Sequence, residues 1–140
     1  MNKYNIVVVF NKEQNKILMC KRLKEPYKGL YNLVGGRAEE GESGLEAAYR
    51  ELQEETGITK EDIGLSHLMD FTYYTTGIHL ETYIGKLNKE VKVIEEVNKL
   101  EWIDVNSNFF DVNKFAGHGN IGSILREYEF HKDKFKLENN

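Results

Sequence analysis

The chain has 140 residues, 40% of them hydrophobic and 30% charged, which supplies apolar material for one core and one domain. A net charge of −4 argues against gripping a nucleic-acid backbone, where lysine and arginine must displace counterions. The one cysteine, Cys20, excludes an internal disulfide and a cysteine zinc cluster, and the apolar run Ile6 to Phe10 is too short for a membrane span. These bounds lead us to expect a single domain over residues 1–140, cytoplasmic, with no membrane and no nucleic-acid polymer as partner.

In chain order, Tyr4 to Phe10 is rich in β-branched and aromatic residues and reads as a buried strand. Asn11 to Asn15 is turn material, and Lys16 to Arg22 returns as a second strand in which Cys20 acts as a small hydrophobe. A loop from Leu23 to Gly29 holds the single proline, Pro26, and Tyr31 to Val34 is a short extended stretch running into the pair Gly35-Gly36. The densest basic group, Lys21, Arg22, Lys24 and Lys28, borders that pair.

Ser43 and Glu46 have the spacing of a capping box, Leu45 to Thr56 lacks proline, and Gly57 stands where a left-handed C-cap belongs. The segment predicts a helix whose apolar stripe is Leu45, Ala48, Tyr49, Leu52 and Thr56. Glu51, Glu54 and Glu55 form an acidic stripe beside it. Like charges at i, i+4 cost about 0.2–0.5 kcal/mol, so Glu51 against Glu55 needs a reason. A hard divalent cation such as Mg²⁺, held by one or two carboxylates plus substrate phosphates, supplies one; a solvated acidic face is the plainer alternative.

After Gly57, Lys60 to Ile63 reads as a turn, and Leu65 to Tyr74 and Ile78 to Leu87 as a β-hairpin about Thr75-Thr76-Gly77. Val91 to Ile94 predicts a further short strand, and Leu100 to Ile103 a strand carrying Trp102. Phe109 to Phe115 is irregular, and Ala116 to Gly119 a glycine loop. Asn120 is placed to cap a second helix with the stripe Ile121, Ile124, Leu125 and Tyr128. The polar residues from about Lys136 are expected to fray. Strands with one helix for each face predict an α/β/α sandwich around a mixed sheet.

The stretch Gly36 to Ile58 resembles the Nudix box, G-x5-E-x7-R-E-U-x-E-E-x-G-U with U aliphatic. Gly36, Glu42, Arg50, Glu51, Leu52, Glu54, Glu55, Gly57 and Ile58 fill every fixed position. The resemblance implies the Nudix fold, an α/β/α sandwich, and hydrolysis of a nucleoside diphosphate linked to another group with Mg²⁺ or Mn²⁺. It implies Glu51, Glu54, Glu55 and the Gly35 carbonyl as metal ligands, with Glu51 also orienting or deprotonating water. Arg50, spaced to pair with Glu46 or Glu54, is implied to hold a catalytic carboxylate, with Glu42 in support. Val34 stands where many members have proline, a departure that leaves the carboxylates untouched.

Outside the box, Glu96 lies before Trp102 where MutT-like members carry a glutamate that joins the metal site or acts on the water, with Glu95 and Glu81 as competitors. Arg22 is the candidate phosphate contact, since a guanidinium matches phosphate oxygens bidentately. Asn32 and Asn120 match asparagines of some nucleotide-pool-cleaning members and can each pair one purine edge; the alternatives are a turn former and a helix cap. His118 is either a pocket lip or merely exposed. The leading expectation is a Mg²⁺-dependent MutT-like hydrolase taking a nucleoside triphosphate, including oxidised purine dNTPs, to NMP and pyrophosphate. Rivals are a dinucleoside-polyphosphate hydrolase, for which Tyr73 and Tyr74 are noted, an ADP-ribose hydrolase, disfavoured because no proline follows Pro26, and a non-catalytic nucleotide sensor. The partner is a small nucleotide, and the protein a monomer or a homodimer joined through the hairpin edge.

Overall fold

The computed structural model describes residues 1–135 and 137. Six strands, β1 (Asn2–Phe10), β2 (Lys16–Lys21), β3 (Tyr31–Arg37), β4 (Ser66–Tyr73), β5 (Ile78–Lys86) and β6 (Lys99–Asp104), make one sheet in the order β4-β5-β1-β3-β2-β6. The β1–β5 pairing is parallel and the others antiparallel, so the sheet is mixed as expected. Helices α1 (Gly44–Thr56) and α2 (Asn120–His131) cover opposite faces. Val7 and Val9 pack with Leu18, Val34 and Leu52 of α1, while Val8 and Phe10 pack with Met19, Leu33 and Ile124 of α2. Because β1 is covered on both faces, it reads as a continuous apolar run instead of an alternating one. No helix among the described residues is long and apolar enough to cross a membrane.

Helix α1 starts and stops on local chemistry. Glu46 N–H donates to Ser43 Oγ at 3.1 Å and Ser43 N–H to Glu46 Oε1 at 3.0 Å, closing the capping box. Gly57, at φ 80°, ends the helix by donating its N–H to Gln53 O. The apolar stripe differs from expectation at its first turn: Leu45 is exposed, and Ala47 is buried with Ala48, Leu52 and Thr56. The first turn meets β5 through Gly44, where an added Cβ would overlap Glu81 and Tyr83, and one residue on Leu45 is rotated about 100° away.

Three further expectations are corrected. Val91 to Ile94 forms no strand, because Ile94 N–H donates to Thr56 O, one of the carbonyls left open at the end of α1, and its side chain covers Gly57. Asn120 does not cap α2: Gly119, at φ 93°, is the N-cap without a side-chain bond, and Asn120 is the first helical residue. Gly35 and Gly36 lie inside β3, paired with Ile6 and Asn5, and Val34 pairs with Val7, so this path is strand, not loop. The glycines are required there by close approach, since a Cβ at Gly35 would overlap Asn5 O and one at Gly36 the Glu51 carboxylate. Of the tail expected to fray, Lys136, Glu138, Asn139 and Asn140 lie outside the described residues, and Leu137 packs partly against the α2-side core.

Candidate active site

Helix α1 lies against β3, which brings the box helix onto the paired glycines. Arg50, its side chain about three-quarters enclosed, is the hub. Its Nε and Nη2 donate to both oxygens of Glu42, at 2.7 and 2.9 Å. Its Nη1 donates to Glu51 at 2.9 Å and Glu54 at 3.2 Å, and Nη2 also donates to Arg37 O at 3.0 Å. Glu46, the other spacing partner, is taken by the capping box. These bonds hold the Glu42 carboxyl below its usual range and push the Arg50 guanidinium further up.

Glu55 is the acid that Arg50 does not reach. Gly35 N–H donates to Glu55 Oε1 at 3.3 Å, and burial, aided by the charges of Glu51 and Glu54, pushes its carboxyl up to about 7. Glu51 is largely enclosed against Gly36, while Glu54 is mostly exposed. Four acids, Glu42, Glu51, Glu54 and Glu55, thus stand near a single arginine that bonds only the first three. An oxygen-rich set with uncompensated negative charge, one member of it desolvated, suits a hard dication.

A cavity of about 500 Å³, within the range of nucleotide-sized ligand pockets, opens beside Glu55. Arg22, Asn32, Gly35, Gly36 and Asn120 line it together with Glu55, so five of the residues singled out in the sequence share one cavity with a box acid. Arg22 is held by its Nε donating to Pro26 O at 2.8 Å. Asn32 is a strand residue, not a turn former, and its Oδ1 accepts Leu33 N–H at 2.8 Å. Asn120 Nδ2 donates to Tyr73 Oη, and both residues line the cavity. The second group lies elsewhere: Glu96, in an exposed bend, shares a larger and shallower groove of about 980 Å³ with Glu42, Arg50 and Glu54. Of its competitors, Glu95 accepts Leu100 N–H at 2.7 Å and Glu81 sits against the start of α1. Lys21, Lys24 and Lys28 are exposed, and exposed His118 meets Tyr27 edge-on at 5.4 Å.

Sequence reasoning missed two residues here, Asn5 and Tyr27. Asn5 is 2% exposed, and its Oδ1 accepts Gly36 N–H at 3.3 Å. Its signal was an amide inside an otherwise apolar strand, which is costly unless it serves a neighbour. Tyr27, at φ 69°, reaches the cavity from the loop after β2, and nothing local marks it; Tyr73, noted in the sequence for the dinucleoside-polyphosphate reading, also lines the cavity.

Residues 1–125 match the family described as the NUDIX domain. The chain is 33% identical over 98 residues to an ADP-ribose pyrophosphatase of Methanocaldococcus jannaschii, covering 68% of this chain and 58% of that protein. It is 51% identical over 51 residues to a putative 8-oxo-dGTP diphosphatase of Bacillus subtilis, covering 36% of this chain and 32% of that one. Both matches span less than two thirds of the relative's own length. Among solved structures, a C. elegans Ap4A hydrolase superposes with a TM-score of 0.75 at 22% identity, over 96% of this chain and all of that one, which establishes a common fold.

Proposed function

The chain belongs to the Nudix family, and from that premise we propose that it is a Mg²⁺-dependent hydrolase taking a purine nucleoside triphosphate, including oxidised purine dNTPs, to NMP and pyrophosphate. The observation that carries this reading is the single cavity in which Glu55 and Gly35 adjoin Arg22, Asn32 and Asn120. It puts one box acid, a phosphate-matching guanidinium and two amides within reach of one nucleotide. The partial relative named for 8-oxo-dGTP points the same way.

In this proposal Arg22 binds a phosphate through the guanidinium face left free by Pro26. Asn32 and Asn120 pair the purine edge. Glu51, fixed by Arg50 and backed onto Gly36, orients the attacking water and takes its proton. Glu96 approaches from the groove beside Glu54. Gly35 O, Glu51, Glu54 and Glu55 are the oxygens that would hold Mg²⁺ or Mn²⁺, and the ion supplies positive charge that offsets what develops on the phosphate oxygens. Tyr73, a partly exposed residue of the cavity lining, favours a second reading, in which the aromatic ring stacks on a further base of a dinucleoside polyphosphate.

The test is a substrate panel with Mg²⁺: NTPs, oxidised dNTPs, ADP-ribose and diadenosine polyphosphates, with products identified. Highest kcat/KM on a purine triphosphate, releasing pyrophosphate, is the expected result. Preference for diadenosine polyphosphate supports the second reading. Preference for ADP-ribose, the substrate in the name of the archaeal relative, overturns both.

A further inference from the structure

Asn5 stands where the pattern of β1 asks for a valine. Val7 and Val9, two and four residues on, belong to the core under α1, and Asn5 continues that face at 2% exposure. Its Oδ1 accepts Gly36 N–H at 3.3 Å, which fixes the orientation of the amide and leaves Nδ2 as the free end. Nδ2 is closed off from solvent and meets no acceptor among the described residues. A buried donor without a partner is costly and calls for a use.

Glu51 reaches the same spot from α1. A Cβ at Gly36, the register partner of Asn5, would lie 2.3 Å from Glu51 Oε2, so the glycine lets this carboxylate settle onto β3. Glu51 Oε1 is taken by Arg50 at 2.9 Å, whereas Oε2 accepts no hydrogen bond among the described residues. A donor without an acceptor and a carboxylate oxygen without a donor thus flank one glycine. Glu81, next to Asn5 in register on β5, is the rival acceptor, but Tyr83 Oη already donates to its Oε1 at 3.4 Å. Carboxylates that ligate a metal ion are themselves held by hydrogen bonds. Each carboxylate oxygen has two lone pairs, so Oε2 can serve an ion and an amide together.

We propose that Asn5 is a positioning residue of the box, donating from Nδ2 to Glu51 Oε2 when a divalent ion fixes that carboxylate. Arg50 then holds one oxygen of Glu51 and Asn5 the other. The two atoms stand unbonded in this structure, and the inference rests on the reading of Glu51 as a metal ligand. Asn5 acts through Glu51 alone.

Mn²⁺ binding to the full chain, read by the EPR signal of the free ion, tests this without any turnover. Asn5→Val extends the valine pattern of β1 and should weaken Mn²⁺ binding about 10- to 100-fold. In a Glu51→Gln background the same substitution should cost less than about twofold more, since the two residues act as one unit. In a Glu81→Gln background the full loss should persist. Wild-type affinity in Asn5→Val overturns the proposal, as does an equal loss with Glu51→Gln in place, or a loss that vanishes only with Glu81→Gln. A wild-type chain that binds no Mn²⁺ overturns the metal-site reading as well, which separates the two failures. Should Asn5→Val not fold, wild-type protein still decides. Its Asn5 side-chain amide resonances should move on saturation with Mg²⁺, and unmoved resonances overturn the proposal.

Discussion

Gly35 N–H meets Glu55 Oε1 at 3.3 Å, and this contact separates Glu55 from the other box acids. Glu42, Glu51 and Glu54 are all bonded to Arg50, while Glu55 is left desolvated beside the cavity with only a backbone donor. The acid with least compensation in the free protein is therefore the one with most to gain from a cation. Three predictions rest on that division, and a fourth concerns the base.

Replacing Glu55 with Gln should lower kcat far more than stability, because it removes a ligand oxygen's charge and also an unfavourable buried one. Steady-state kinetics at saturating Mg²⁺, set beside the melting temperature in EDTA, checks this. Turnover close to wild type would remove Glu55 from the metal ligands.

The same acid sets a pH dependence in metal-free protein. Its folded carboxyl sits at about 7, above the ordinary 4.5, so the native state binds more protons than the unfolded one between those values. Stability from this group is present below about 4.5 and is lost as pH rises towards 7. Melting in EDTA should therefore decline over that interval, and Glu55→Gln should flatten the decline. Mg²⁺ binds the ionised form, so it should raise the melting temperature most at high pH, by a free energy of about 2.7 kcal/mol at a hundred times Kd. An identical pH slope in wild type and variant contradicts the raised Glu55 carboxyl, and no shift with millimolar Mg²⁺ contradicts the metal-site reading.

Arg50→Lys keeps the charge and loses the planar fork that grips Glu42 through two nitrogens. Hydrogen bonds to charged groups contribute about 1.5–3 kcal/mol, so losing part of the fork should drop the melting temperature by several degrees. Released from Arg50, Glu51 should orient water poorly, and kcat should fall with little change in KM. Thermal melts and kinetics on the one variant measure both; wild-type values would make Arg50 a surface ion pair.

Asn120→Ala and Asn32→Ala each leave a purine donor or acceptor unpaired, which costs about 1–3 kcal/mol. That is roughly a 5- to 150-fold loss in kcat/KM on the preferred purine nucleotide. Pyrimidine nucleotides should lose little. Since Gly119 and not Asn120 caps α2, Asn120→Ala should leave the helix as stable as before. An equal loss on all bases, or a marked fall in melting temperature, would give these residues a structural role instead.

What the sequence determined by itself is whatever closes within a few residues. Ser43 and Glu46 find each other three positions apart, Gly57 ends α1 on Gln53, and strict spacing puts Arg50, Glu51, Glu54 and Glu55 on consecutive turns, so the helix and its acids were readable directly. Strands were readable as apolar runs, with errors where the backbone found a distant partner, as Ile94 did at Thr56. Tertiary structure alone decided that β1 lies parallel to β5 at the centre of the sheet, because strand order follows from burying both faces and not from local pattern. It also decided that Glu55 faces the cavity while Glu54 faces the groove with Glu96, a choice made by where β3 meets α1. The pairing of Asn120 with Tyr73, 47 positions away, and the bulge that aligns His67 with Asp70 depend on contacts and register between strands, to which one-dimensional spacing is blind.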